Sequence, residues 1–349
     1  MQLLRDKMAH STIDAFFTLL PQNIRFISNF SGSSGAIFLT PEKSYFLTDA
    51  RYVEQAAREV KGFEIIETKK VAGELVKLVN SLSPRTVGFE GDHISFSQYS
   101  EFQRAFNNSS LLSTAHFIED FREVKSLEEI SCIKKAVAIS ALAFKKIVPM
   151  VKIGVTEKEI ATQLEYEMSR NGSERVAFDT IVASGERGAL PHGIASSKKI
   201  QAGEMVTIDF GATYKGYHSD CTRTLFVGEV DSKQKDIYNV VYSAQKKAIE
   251  TVKAGVTAHE IDLKARAYIK KSGFGENFGH GTGHGVGLEI HEGPVIREGQ
   301  ETTLKKGMVI TVEPGIYIPE SGGVRIEDML LVEEEGYTVL TSSIPKTIL

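Results

Sequence analysis

The sequence predicts a mixed α/β (α+β) protein of two domains: a small α/β domain over residues 1–119, then helices covering a curved antiparallel sheet over residues 120–349. Three observations carry this reading. Short strand-like and helix-like segments alternate through the first third of the chain. A long helix opens at Ser126 behind a strong start signal. Beyond it, strand-like segments with Gly-rich turns occur twice in similar form. A chain of 349 residues with 42% hydrophobic content can bury the cores of two domains.

In chain order, FSGSSG (Phe30–Gly35) reads as a flexible Gly/Ser turn. It lacks the Gly-Lys-Ser/Thr ending of a phosphate-binding loop, which argues against nucleotide binding there. Ser44–Leu47, Phe63–Glu67 and Thr86–Glu90 read as strands, while Ala50–Val60 and Val71–Ser81 carry helical spacing of apolar residues. Ser126 is followed three residues later by Glu129, a capping box that opens a long helix. Acidic residues at its start and lysines further along suit the helix dipole. The domain boundary is therefore placed just before it, near Asp120. A second helix starts at Thr156 and ends at Asn171-Gly172. Two more run roughly over Ser232–Val252 and Thr257–Ser272.

Composition excludes several classes of function. A net charge of −4 with no long basic run gives no footprint for nucleic acid. Cys132 and Cys221 have neither metal-ligand spacing nor the density of a disulfide framework, so a reducing, cytoplasmic setting is expected. The start, MQLLRDKMAHSTIDAFF, lacks the apolar run and cleavage site of a signal peptide. No 18-residue apolar stretch is present, so no membrane span is expected.

The chemistry sits in two hairpins. MVTIDFG alternates Val206, Ile208 and Phe210 on one face with Thr207 and Asp209 on the other, and YHSDCTRTLFVG returns. A turn around Tyr214–Gly216 brings Asp209 opposite, or nearly opposite, Asp220. Facing residues have Cβ atoms about 4.5–5.5 Å apart, so the two carboxylates repel unless one is protonated or a cation intervenes. Alone, this hairpin fits a solvated turn equally well. The pattern recurs: MVITVEPGIYI and GGVRIEDMLLV flank a turn around Pro319–Gly323, and Glu313 and Glu327 are equidistant from its middle. The matching openings, MVTID and MVITVE, suggest an internal duplication with a pseudo-twofold axis.

Four carboxylates and one imidazole suit a pair of divalent ions. A carboxylate-rich set favours manganese, and a single histidine moves the preference towards cobalt or zinc. Two such ions about 3.5–4 Å apart can share bridging carboxylates. Of nine histidines, His280, His284 and His291 fall in the Gly-rich run HGTGHGVGLEIHEGP. Their spacing is not HExxH, which excludes a helix-borne zinc site. His284 is the candidate ligand, and His280 and His291 are candidates for substrate contact. His192, in LPHG, is a fourth candidate. His10, His93, His116, His218 and His259 read as structural.

FDTIVASGERGALPHG, TIDFGATYKGYHSDCTRT, GHGTGHGVGLEIHEGP, VEPGIYIP and GGVRIEDMLLV occur in order, and together they resemble the pita-bread metallopeptidases, most closely the aminopeptidase P and prolidase branch. The resemblance covers nearly the whole chain: FSGSSGAIFLT and FLTDARY resemble the amino-terminal domain of Xaa-Pro aminopeptidases. Ala50 stands where relatives often have Gly. Asp209, Asp220, His284, Glu313 and Glu327 all have the family's ligand type, so the resemblance implies two divalent metal ions.

The resemblance further implies hydrolysis of the bond between an N-terminal residue and a following proline, in a peptide with proline second. Xaa-Pro aminopeptidase is the preferred reading, on the FSGSSG and LTDARY motifs. Alternatives are an Xaa-Pro dipeptidase acting on dipeptides only, a broader metallohydrolase and a non-catalytic binding scaffold. Glu313 is the expected proton acceptor and donor. His192 and His291 are expected to stabilise the tetrahedral intermediate. His280 and Phe178 are expected at the wall near proline. Arg325 is expected to grip a carboxylate of the site or of the substrate, and Thr222 to hydrogen-bond a ligand carboxylate. Relatives of this kind are often homodimers, and a dimer is expected here.

Overall fold

Phe16 and Phe17 lie next to each other in a strand, AFFT, in which every residue is buried. Such a strand shows no alternation of apolar and polar residues, because both faces of its sheet are covered. It sits inside the six-stranded sheet of the first of two compact units, Met1–Arg122 and Glu123–Leu349. The computed structural model describes residues 1–346.

The first unit carries β1 (Ala15–Thr18), β2 (Ala36–Leu39), β3 (Ser44–Thr48), β4 (Glu64–Glu67), β5 (Thr86–Glu90) and β6 (Ser110–Thr114), in the order β4-β3-β2-β1-β5-β6. Its helices are α1 (Gln2–His10), α2 (Pro21–Ser28), α3 (Val53–Glu59), α4 (Val71–Leu82), α5 (Phe96–Ala105) and the short α6 (Glu119–Arg122). One core contains Phe16, Ile37, Leu39 and Phe46, and the other contains Phe17, Phe38, Tyr45 and Leu47. α3 begins later than the apolar spacing predicts, because Asp49–Tyr52 closes as a turn first. The FSGSSG segment is pinned rather than loose: Ser31 donates to Glu59, Ser34 donates to Asp49 and Ser33 bonds Tyr52. α6 falls within the first unit, so the division comes slightly later than 119/120. Asn23 donates to Glu119 at 2.6 Å, and Arg122 donates to Asn23 at 2.8 Å.

The second unit repeats one plan: a pair of packed helices, then a hairpin with a two-stranded tip. The first pair is α7 (Leu127–Ile147) and α8 (Glu157–Arg170), both opened by capping boxes, from Ser126 and Thr156. The hairpin that follows joins β8 (Glu204–Phe210) to β11 (Cys221–Val227) through β9 (Thr213–Tyr214) and β10 (Tyr217–His218), with β7 (Ile181–Ser184) on the far side of β8. The second pair is α9 (Ser232–Ile249) and α10 (Ala258–Lys271), capped by Asp231 and Thr257. Its hairpin joins β14 (Val309–Val312) to β17 (Asp328–Glu333) through β15 (Gly315–Ile318) and β16 (Gly322–Arg325). β12 (Gly283–Gly285), β13 (Glu292–Ile296) and β18 (Gly336–Val339) complete a five-stranded sheet, β13-β12-β14-β17-β18.

Each helix pair packs on its own half. Ile139, Phe144, Ile160 and Leu164 join Val206, Ile208 and Phe210 in one core, and Val241, Ala248, Ile261 and Ala265 join Ile310, Val312 and Leu330 in another. The two hairpins are tied together by Thr224, whose hydroxyl donates to the Arg325 carbonyl at 2.9 Å. This is the pita-bread architecture: two similar halves whose acid-bearing hairpins are cross-linked. No helix among the described residues is long and apolar enough to cross a membrane.

Candidate metal centre

Register decides which acids meet. In the first hairpin Asp209 pairs with Thr222, not with Asp220, because the turn is the residue pair Lys215-Gly216, and the pairing runs unshifted from there through Thr213–His218 to Phe210–Cys221. Asp220 lies two residues from Thr222 on the same strand side, so the two aspartates are diagonal neighbours. In the second hairpin Val312 pairs with Asp328, and Glu313 and Glu327 occupy the next step. Glycine is required at two of these approaches: a Cβ on Gly211 would lie 2.0 Å from the Ser219 carbonyl, and one on Gly283 would lie 2.1 Å from that of Thr311.

His284 enters from β12. Its Nδ1 lies 3.0 Å from the Gly285 carbonyl, which leaves Nε2 facing the acids: 3.2 Å from Glu313 Oε1 and 3.6 Å from Asp220 Oδ2. A backbone acceptor on one ring nitrogen is the usual arrangement that presents the other to a metal. The strand is held by Asp262, which accepts from the Thr282 hydroxyl at 2.8 Å, and by Arg266, which donates to the His280 carbonyl at 2.8 Å.

The donor set fits divalent metal. Ligand atoms of Asp220, His284 and Glu327 lie within 4.8 Å of one another. Asp209 Oδ1 and Glu327 Oε1 are buried and, among the described residues, have no hydrogen-bond partner. An orphaned buried oxygen is costly unless a cation meets it. Burial, and then the charges of neighbouring acids, push Asp220 and Glu327 well above the usual carboxylate range. Burial also raises Asp209, against the pull of Arg325. Burial works upward on Glu313 too, but the hydrogen bond and charge of His284 outweigh it and hold that carboxyl at about 2.

Arg325 gathers the surroundings. Its guanidinium donates to Asp209 Oδ2 at 2.6 Å, to Thr222 at 3.2 Å, to the Tyr317 hydroxyl at 2.8 Å and to the Pro191 carbonyl at 3.1 Å. Only one of these bonds reaches a carboxylate, so the grip on Asp209 is not bidentate. Thr222 in turn donates to Glu327 Oε2 at 2.7 Å. His280 Nδ1 lies 2.7 Å from the Gly281 carbonyl, and its Nε2 lies 2.9 Å from Tyr317. Both ring nitrogens are thus engaged within the protein, while His280 stays in the pocket wall. Burial lowers its pKa, which keeps it neutral. The His291 ring stands edge-on to His284, with centroids 4.3 Å apart. Burial and the neighbouring His284 lower its pKa too.

One pocket of about 560 Å³ contains Asp209, Asp220, His284, Glu313 and Glu327 in its wall. Phe178, His192, His280, His291 and Arg325 line it as well. Tyr317 and Arg297 are among the lining or supporting residues that escaped the sequence reading. Tyr317 could have been found by stepping in twos from Glu313 through Gly315. Arg297 had no local signal, because it lies beyond the histidine run in an ordinary polar stretch.

Buried carboxylates from two duplicated hairpins, joined by one imidazole in a pita-bread fold, define a metallo-exopeptidase. The chain belongs to metallopeptidase family M24, whose model matches residues 131–334, with a creatinase/prolidase N-terminal domain over residues 1–124. An Xaa-Pro dipeptidase of Pyrococcus furiosus is 42% identical over 338 residues, covering 96% of this chain and 95% of that one. The solved structure of an Xaa-Pro dipeptidase from Bacillus anthracis superposes with a TM-score of 0.97 at 43% identity, covering 100% of this chain and 98% of that one. That of an X-Pro aminopeptidase from Thermotoga maritima gives 0.91 at 40% identity, covering 99% of each chain.

Proposed function

We propose that the chain is an Xaa-Pro dipeptidase, which reverses the preference for an aminopeptidase stated from the motifs. FSGSSG and LTDARY do not discriminate, because they lie in an N-terminal domain that the creatinase and prolidase model covers as a whole. Both Xaa-Pro dipeptidases named above resemble the chain over nearly its full length. The observation that carries the reading is Arg297. A dipeptide-only enzyme benefits from a cation that reads the free carboxylate of proline. Arg325 is committed to Asp209, Thr222, Tyr317 and Pro191, whereas Arg297 is exposed on the wall of the same pocket. Its Cβ lies 3.2 Å from the position of a Cβ on Gly281, next in chain to His280.

Asp209, Asp220, His284, Glu313 and Glu327 would hold two divalent ions, manganese by donor type with cobalt or zinc tolerated. Bound there, such ions supply Lewis-acid polarisation of the scissile carbonyl and acidify the attacking water. Glu313 accepts the water proton and passes it to the leaving proline nitrogen. His192 and His291 donate to the oxygen that becomes negative in the tetrahedral intermediate. Phe178 and His280 bound the apolar space for the proline ring. Arg325 acts through Asp209.

The test compares kcat/KM for Xaa-Pro with that for Xaa-Pro-Yaa-Zaa, in the native protein and in Arg297→Met. The dipeptide is expected to be strongly preferred, with its KM raised about ten- to a hundredfold by the substitution. Equal turnover of the tetrapeptide, untouched by Arg297→Met, would restore the aminopeptidase reading.

A further inference from the structure

Glu157 is the first residue of α8, fully buried, and takes no part in the chemistry described above. Both of its carboxylate oxygens are saturated by donors from one stretch of chain. Oε1 accepts from the Ser184 backbone N–H and the Ser184 hydroxyl, both at 2.8 Å. Oε2 accepts from the Ser196 N–H at 3.0 Å, the Ser196 hydroxyl at 2.6 Å and Arg187 Nε at 2.9 Å. Burial pushes this carboxyl up, but the bonds from Ser196 and Ser184 more than offset it. Residue 157 also stands in the first turn of a helix, where the dipole favours an anion.

Ser184 and Ser196 bracket the loop that carries Pro191, His192 and Ile194 into the pocket wall. A single carboxylate therefore closes this loop at both ends. Arg187 extends the brace inwards: while its Nε bonds Glu157, an Nη donates to the Ile194 carbonyl at 2.6 Å. From the other side Arg325 donates to the Pro191 carbonyl at 3.1 Å. His192 itself is exposed. Its position thus depends on the loop backbone, and the loop backbone is tied to Glu157.

We propose that Glu157 is a positioning residue for catalysis, which sets the place of His192 by clamping both ends of its loop. The inference rests on the role given to His192 above. Only a carboxylate suits the place, since five donors converge on two oxygens and an amide would turn an N–H towards one set of them.

The test is a double-mutant cycle between Glu157→Gln and His192→Ala on an Xaa-Pro dipeptide, with metal content and melting temperature measured for every variant. Glu157→Gln is expected to lower kcat/KM about ten- to a hundredfold, the cost of a displaced catalytic group. The loss falls mainly on kcat, with bound metal per chain unchanged. In the His192→Ala background the same substitution is expected to cost less than about twofold, because coupled residues do not add. Hydrogen exchange over 184–196 should quicken in Glu157→Gln. An equal loss in both backgrounds would reduce Glu157 to a structural role and overturn the proposal. If His192→Ala alone leaves kcat/KM unchanged, the role of His192 fails and this inference fails with it. Should Glu157→Gln not fold, Arg187→Met releases the brace at a side chain that is 29% exposed and is held to the same His192-dependent loss.

Discussion

Arg325 donates to Asp209 Oδ2 at 2.6 Å, so a cation from the second acid hairpin grips an acid of the first. The other Asp209 oxygen is left buried and pointed at the site. Orientation of a ligand by a neighbouring donor is worth about ten- to a hundredfold in metal affinity. Arg325→Met is therefore expected to weaken metal binding by that factor, measured by competition with a chelator. Arg325→Lys should recover little, since one ammonium cannot also reach Thr222, Tyr317 and Pro191.

Asp328, fully buried, follows the candidate ligand Glu327 and holds the guanidinium of Arg223 at 2.9 Å. It also accepts from Thr341 at 2.7 Å and pairs with Lys346. Arg223 in turn donates to the Glu327 carbonyl. Removing one partner of such a pair leaves the other charge buried. Asp328→Ala is expected to cost about 3–5 kcal/mol, read from urea denaturation. A change below about 1 kcal/mol would show that the cluster does not support the hairpin.

Glu90 in the first unit gives a pH dependence of opposite sign to the usual carboxylate. Burial pushes it up to about 7, against hydrogen bonds from Thr18 and Asn23; Glu119 adds repulsion and Arg122 attraction. The folded state therefore binds a proton more tightly than the unfolded chain. Between about 4.5 and 7 the stability contributed by this group falls as pH rises, by up to about 3 kcal/mol. Protection factors of the β5 amides, which remove the intrinsic base-catalysed rise of exchange with pH, should fall from pH 5 to pH 8 in the native chain. In Glu90→Gln that change should be much smaller, and an equal change would show that Glu90 is not its source.

How much of this was legible follows from what each residue faces. The acid hairpins could be located because Val206, Ile208 and Phe210 alternate with Thr207 and Asp209, and because a turn fixes the fold-back. Their exact register could not, since it depends on which two residues form the turn: with Lys215-Gly216 there, Thr222 rather than Asp220 faces Asp209. β1 was missed because it is covered on both faces. Glu157 and Glu159 look alike in sequence, as acidic residues in the first turn of one helix. Glu159 completes the capping box with Thr156, while Glu157 turns inward to Ser184 and Ser196. Nothing local distinguishes them, because the partners lie far along the chain.

The central claim is that Asp209, Asp220, His284, Glu313 and Glu327 hold two divalent ions. The direct measurement is metal per chain by elemental analysis, after loading with manganese and dialysis, for the native protein and for Glu327→Gln. The account predicts two ions in the native chain and at most one, weakly held, in the variant. A native chain that retains none, or a variant that still retains two, would contradict it.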